Sequence, residues 1–133
     1  MKLNPDCVKD IMVFLEENLS GDKYFVPNQI SESLKRYPYE EIEHCVKTLF
    51  EEKWVNGIVQ KQGDFYLVKE ITPLGYEFLK ITHDDNLWNK TTSILKSFTI
   101  LALSTILDVA KGISIQKLSK ISIGAAIINN IKK

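Results

Sequence analysis

The sequence predicts an α+β fold: a winged helix-turn-helix followed by a C-terminal helical extension. Two observations carry that expectation. Between Ile42 and Leu79 the chain reads as an amphipathic helix ending at Leu49-Phe50, a strand, a hairpin marked by Gly63, a return strand and a capped helix. Ahead of that stretch, apolar residues recur at helical spacing, as a helix burying one face requires. The expected units are residues 1–82 for the winged-helix domain and residues 83–133 for the extension, which either packs on it or self-associates.

The elements follow in order. Asn4-Pro5-Asp6 opens a helix: Asn4 accepts from a free backbone N–H, Pro5 suits the first helical position, and Asp6 favours the positive end of the dipole. Val8, Ile11, Met12, Leu15 and Leu19 supply its buried face, and Ser20-Gly21 ends it. Pro27 makes Tyr24-Phe25-Val26 extended, a candidate third strand beside the wing. Ile30 and Leu34 define a short second helix.

After Arg36-Tyr37-Pro38, Glu40 and Glu41 start a third helix, with Ile42, Cys45, Val46, Leu49 and Phe50 inward. It ends near Lys53, at a position where Gly or Asn would sit more easily. Trp54 to Gln60 is a strand with a candidate bulge at Asn56-Gly57, Gln62-Gly63-Asp64 is the hairpin tip, and Phe65 to Ile71 returns. Thr72 caps a fourth helix with Pro73 in its first turn. Asp84 or Asp85 caps a long helix expected to reach about Lys111. Gly112 should interrupt it, before a last helix over Ile115 to Ile131.

Composition sets the bounds. A chain of 133 residues with 44% hydrophobic and 26% charged content suits a globular protein. Its net charge is zero, but unevenly spread. Residues 1–82 hold ten basic and fourteen acidic side chains; the remainder holds seven lysines and three aspartates. Cys7 and Cys45 lie within apolar helical patterns and read as buried thiols in a reducing cytoplasm, the expected location. The most apolar stretch, Phe98 to Leu107, is well short of the ~20 residues a spanning helix needs.

Nothing points to catalysis. His44 and Cys45 are neighbours, but adjacent helical residues diverge by about 100° and cannot easily bond each other. No Cys-x-x-Cys, His-x-x-x-His, Gly-rich phosphate loop or Gly-x-Ser-x-Gly occurs, so neither metal nor cofactor is expected. The third helix would be the groove-entering element in a DNA-binding relative. Its outward residues are Glu40, Glu41, Glu43, His44, Lys47, Thr48, Glu51 and Glu52, so carboxylates far outnumber cations. Affinity for DNA comes mainly from neutralised phosphates, which this face opposes.

Two strings carry a resemblance. Met1-Lys2-Leu3-Asn4-Pro5-Asp6-Cys7 and Ile71-Thr72-Pro73-Leu74-Gly75-Tyr76-Glu77-Phe78-Leu79, with Trp88-Asn89-Lys90, resemble an uncharacterised family of small winged-helix proteins common in phages and prophages. The resemblance covers roughly Met1 to Thr92. It implies a fold and a mobile-element setting, and no catalytic residues.

The expected role is a non-enzymatic protein-interaction or adaptor module. Glu40, Glu41, Glu43, His44, Lys47, Thr48 and Glu51 would form the face toward a protein partner. The tail is apolar nearly all round, which demands a cover. Leu95, Phe98, Leu101, Ala102, Thr105 and Val109 are the candidates for self-association into a homo-oligomer. The alternative is a dimeric DNA-binding regulator contacting nucleic acid through Lys47, Thr48, Lys61 and Gln62. A second alternative is a peripheral membrane effector using Lys96, Lys111, Lys117, Lys120, Lys132 and Lys133, a reading weakened by the lack of Trp or Tyr there.

Overall fold

Helix α1 (Pro5–Asn18) begins where local chemistry demands: the Asn4 side chain accepts from the backbone N–H groups of Asp6 and Cys7. It buries Cys7, Val8, Ile11, Met12 and Leu15 in one stripe. Helices α2 (Pro27–Ser33) and α3 (Tyr39–Glu51) follow, joined by a short turn. That turn is held by Tyr37, whose hydroxyl donates to Asp10 Oδ2 at 2.6 Å, and by Arg36, 3.6 Å from the same carboxylate. The turn between α2 and α3 is thereby tied to α1.

Lys53 ends α3 at φ 62°, the left-handed position expected there. Strands β1 (Val55–Gln60) and β2 (Phe65–Ile71) form an antiparallel hairpin. Gly63 and Asp64 take positive φ at its tip, 89° and 49°. The register slips at Asn56/Gly57, as the sequence suggested, and the extra residue is Lys69 on β2. Gly57 is needed there, because a Cβ would fall 1.9 Å from the Leu67 carbonyl oxygen. The expected third strand is reduced to one bridge: Phe25 N–H donates to Val68 O at 3.1 Å, and Val68 N–H to Phe25 O at 2.8 Å.

Helix α4 (Pro73–Thr82) is capped by Thr72, which accepts from Gly75 N–H. Helix α5 (Asp85–Leu95) is capped by Asp84, which accepts from Leu87 N–H at 3.0 Å. Helix α6 (Leu103–Ile123) is the last described element. This computed structural model describes residues 2–98 and 101–123, with side chains up to residue 113. Within them the architecture is α+β, six helices and one two-stranded antiparallel sheet, compatible with a winged-helix-like arrangement.

The tail departs from expectation. A continuous helix from Asp85 to Lys111 does not form: α5 stops at Leu95, and α6 starts at Leu103 and runs through Gly112. Tertiary burial explains the break. Folding back lets α5 and α6 pack on each other, burying Leu95, Leu101, Leu103, Ile106, Leu107 and Ala110. A straight rod would leave most of that surface wet, at about 25 cal/mol per Å² of apolar area. Local bonds ease the bend: Ser97 donates its hydroxyl to Ile94 O, and Lys2 Nζ donates to Phe98 O. Glycine inside α6 costs only about 1 kcal/mol against alanine. Of the expected last helix, positions 124–131 lie outside the described residues.

One buried cluster runs through both halves of the chain, from Leu3 and Cys7 to Ile106 and Ala110. Trp54, Phe78 and Trp88 form its aromatic spine, with ring centroids 4.7 and 5.6 Å apart. Trp88, in the extension, meets Phe78 edge-on. Lys111 pairs with Glu77 at 2.5 Å, and His83 meets Glu16 at 3.1 Å.

Candidate interaction face of helix three and the hairpin

The outward residues of α3 divide into two groups. Glu40, Glu43, Lys47 and Glu51 recur at three- and four-residue intervals, so they form one ridge along the helix. Glu40, Lys47 and Glu51 are exposed, and Glu43 is half-buried and accepts from the Tyr39 hydroxyl at 3.2 Å. Burial, then that carboxylate, pushes the Tyr39 phenol up. The other group turns away. Glu41 accepts from Asn4 Nδ2 at 3.4 Å, binding α3 to the start of α1. Thr48 donates its hydroxyl to His44 O at 2.8 Å, so that proton is already committed. The face expected from sequence is therefore narrower than its full list, and its charge is carried by three glutamates and one lysine. Glu52 continues the acidity just past the helix end.

Beside the ridge lies a groove of about 560 Å³ between α3 and the hairpin. Lys47, Phe50 and Glu51 form one wall, and Val59, Lys61 and Tyr66 the other. Its floor is aromatic: Phe50 and Tyr66 lie 5.7 Å apart, centroid to centroid. Lys47 and Lys61, expected together as nucleic-acid contacts in the alternative reading, both line this groove. Gln62 is exposed at the tip but does not line the groove.

Sequence reading missed the apolar character of the hairpin. Opposite residues of antiparallel strands share a face. Ile58 with Leu67 and Gln60 with Phe65 therefore make the outer face, and Val59 with Tyr66 the inner one. Ile58, Val59 and Phe65 are each about 40% exposed. The available signal was Ile58-Val59, apolar residues on both faces of a strand, which implies cover on both sides. Toward the base of the hairpin, Ile58, Ile71, Tyr24 and Tyr76 line a second groove of about 590 Å³.

The tail candidates are distributed differently. Leu95 and Leu101 are enclosed by the chain's own core and have little to offer a second copy. Phe98, Thr105 and Val109 are half-buried, and Ala102 is exposed. Lys96 is exposed, whereas Lys111 is held by Glu77, which also raises its pKa. Lys117, Lys120, Lys132 and Lys133 lie outside the described side chains. Among the described residues, no helix is long and apolar enough to cross a membrane.

Cys7 and Cys45 are both buried and free, on facing helices. A hydrogen bond between their side chains, then burial, drives the Cys7 thiol far above its ordinary range. Such a thiol is a poor nucleophile. His44 is half-buried on the polar side of α3. Among the described residues, no three His, Cys, Asp or Glu side chains gather to hold a metal ion.

Comparison with known proteins adds one match. No curated protein and no solved structure matches this chain. A family model described as "Hypothetical protein (DUF2513)" matches residues 2–101, which takes in the hairpin, α4 and α5 together. The chain belongs to that uncharacterised family, described as DUF2513.

Proposed function

We propose that this chain is a non-enzymatic protein-interaction module whose α3 ridge and adjoining groove receive a basic segment of a partner protein. The observation that carries the reading is the pairing of Glu40, Glu43 and Glu51 on one ridge with an aromatic floor at Phe50 and Tyr66. Carboxylates attract lysine and arginine head groups. Aromatic faces take up the apolar stems of those side chains and their cationic charge. A duplex would instead bring phosphates against that acidity, with the hairpin offering Ile58 and Phe65 where cations would be needed. The phage or prophage setting follows from the sequence resemblance alone.

The alternative, a DNA-binding regulator, draws on a specific observation: Lys47 and Lys61 line the same groove. Fluorescence anisotropy separates the two. The full chain is titrated into a labelled arginine- and lysine-rich peptide and into a random duplex at low ionic strength. Saturable peptide binding that is lost in the combined Glu40→Lys, Glu43→Lys, Glu51→Lys variant supports the interaction module. Duplex binding that is lost in the Lys47→Glu, Lys61→Glu variant overturns it in favour of the regulator.

A further inference from the structure

Among the described residues, the hairpin has one open edge. On β2 the outer edge is taken by Phe25, through its paired bonds with Val68. On β1 no described strand pairs with the outer edge, and its one side-chain bond is local, from Gly57 N–H to Asn56 Oδ1 at 2.9 Å. Free strand edges are normally guarded by charge, proline, a bulge or a cover, because each is a template for another strand. Val55–Gln60 carries no charge and no proline. The irregularity at Asn56/Gly57 places its extra residue on β2, so β1 itself runs without insertion. Beyond Val55 and the half-buried Gly57, the strand is exposed, and Ile58 and Val59 stand out as its apolar members.

We propose that β1 pairs antiparallel with β1 of a second copy of this chain about a two-fold axis at Ile58, joining two hairpins into one four-stranded sheet. A two-fold interface requires a surface complementary to itself. Asn56-Gly57-Ile58-Val59-Gln60 meets that condition, reading amide, small or apolar, isoleucine, small or apolar, amide in both directions. Centred on Ile58, the register sets Asn56 against Gln60 of the second copy, and pairing frees the Asn56 amide from its bonds to Glu70 and Gly57 N–H to meet the Gln60 amide. Gly57 then faces Val59, and Val55 lies beside Lys61, so no like charges meet. On the outer face Ile58 meets its own counterpart, flanked by Leu67 and Phe65 of both copies. The half-exposed apolar residues of the hairpin thereby become the centre of a continuous sheet face. A net charge of zero leaves no overall repulsion to oppose association.

This proposal moves self-association from the tail to the hairpin and does not depend on what the α3 ridge binds. Sedimentation equilibrium of the full chain over a wide concentration range tests it. A reversible dimer is expected. Ile58→Glu, which sets two carboxylates opposite each other at the axis, weakens the dimer at least roughly tenfold. An equimolar mixture of Ile58→Glu and Ile58→Lys restores it. An independent check uses Ile58→Cys with a short bis-maleimide, since Cys7 and Cys45 are buried. A covalent dimer is expected, formed in the intact fold as judged by circular dichroism. A chain that stays monomeric throughout overturns the proposal. So does a dimer indifferent to Ile58→Glu, or the absence of cross-linked dimer from folded Ile58→Cys.

Discussion

Thr72 donates its hydroxyl to the Lys53 carbonyl oxygen at 2.6 Å, joining the turn that leads into the hairpin to the residue after it. The same hydroxyl oxygen accepts from Gly75 N–H at 3.2 Å, and Thr72 N–H donates to Trp54 O at 3.1 Å. One side chain therefore caps α4 and closes the base of the hairpin. It also secures Lys53 in its left-handed conformation. Thr72→Ala is expected to cost about 1–2 kcal/mol, the upper range for a lost cap. Thr72→Ser, which keeps the hydroxyl, should retain most of that stability in urea denaturation.

Gly75 has no room for a side chain. A Cβ there would lie 2.3 Å from the Trp54 carbonyl oxygen, 2.7 Å from Ile71 Cγ2 and 2.9 Å from Met12 Cε. The side-chain atoms can shift, but the carbonyl belongs to the hairpin base and cannot. Gly75→Ala is expected to destabilise by about 1–3 kcal/mol or more, despite alanine's better helix propensity. A melting temperature at or above that of the parent chain would refute this.

Trp88 ties the extension to the body through Phe78 and is only 4% exposed. Trp88→Ala should cost about 3–5 kcal/mol, the range for removing a large buried aromatic. A chain ending at Thr82 would also lose Leu87, Leu95, Leu101 and Leu103 from the cluster. Such a truncation should lose cooperative thermal unfolding, which calorimetry detects directly.

Tyr37 gives the chain an alkaline weakness. Burial, then the bond to Asp10, pushes its phenol above the ordinary value of 10.0. A raised acid stays protonated in the fold where the unfolded chain would release its proton. Its contribution is fully present below about pH 10 and is lost progressively as pH rises beyond it. Tyr37→Phe should cost about 1.5–3 kcal/mol at neutral pH, as expected for a hydrogen bond to a charged acceptor. Its stability should also decline less steeply in alkali. Urea midpoints for both chains at about pH 7 and about pH 11 give the comparison.

What could be read from sequence was whatever local chemistry decides. Asn4, Thr72 and Asp84 act as caps because each bonds backbone within three residues of itself. Gly63 takes its positive φ for an equally local reason, as the tip of the hairpin, whereas Lys53 is also held by Thr72 across the hairpin base. The break after Leu95 escaped prediction because it is set by what α5 and α6 bury against each other. Gly112 gave a false stop signal, since one glycine costs less than that packing returns. The groove was half visible. Lys47 and Lys61 were identified, but the aromatic floor depends on a register that sets Tyr66 opposite Val59 and close to Phe50.

The single cluster of side chains linking α1 to α6 has a consequence for how the molecule responds to damage. A tethered appendage can be clipped while its neighbour survives. Here a cut between Lys96 and Ala102 would separate α6 from the surface that completes α5, and the loss would spread to Phe78 and Trp54 by way of Trp88. Proteolysis of the native chain should accordingly be all or nothing, without a long-lived amino-terminal fragment.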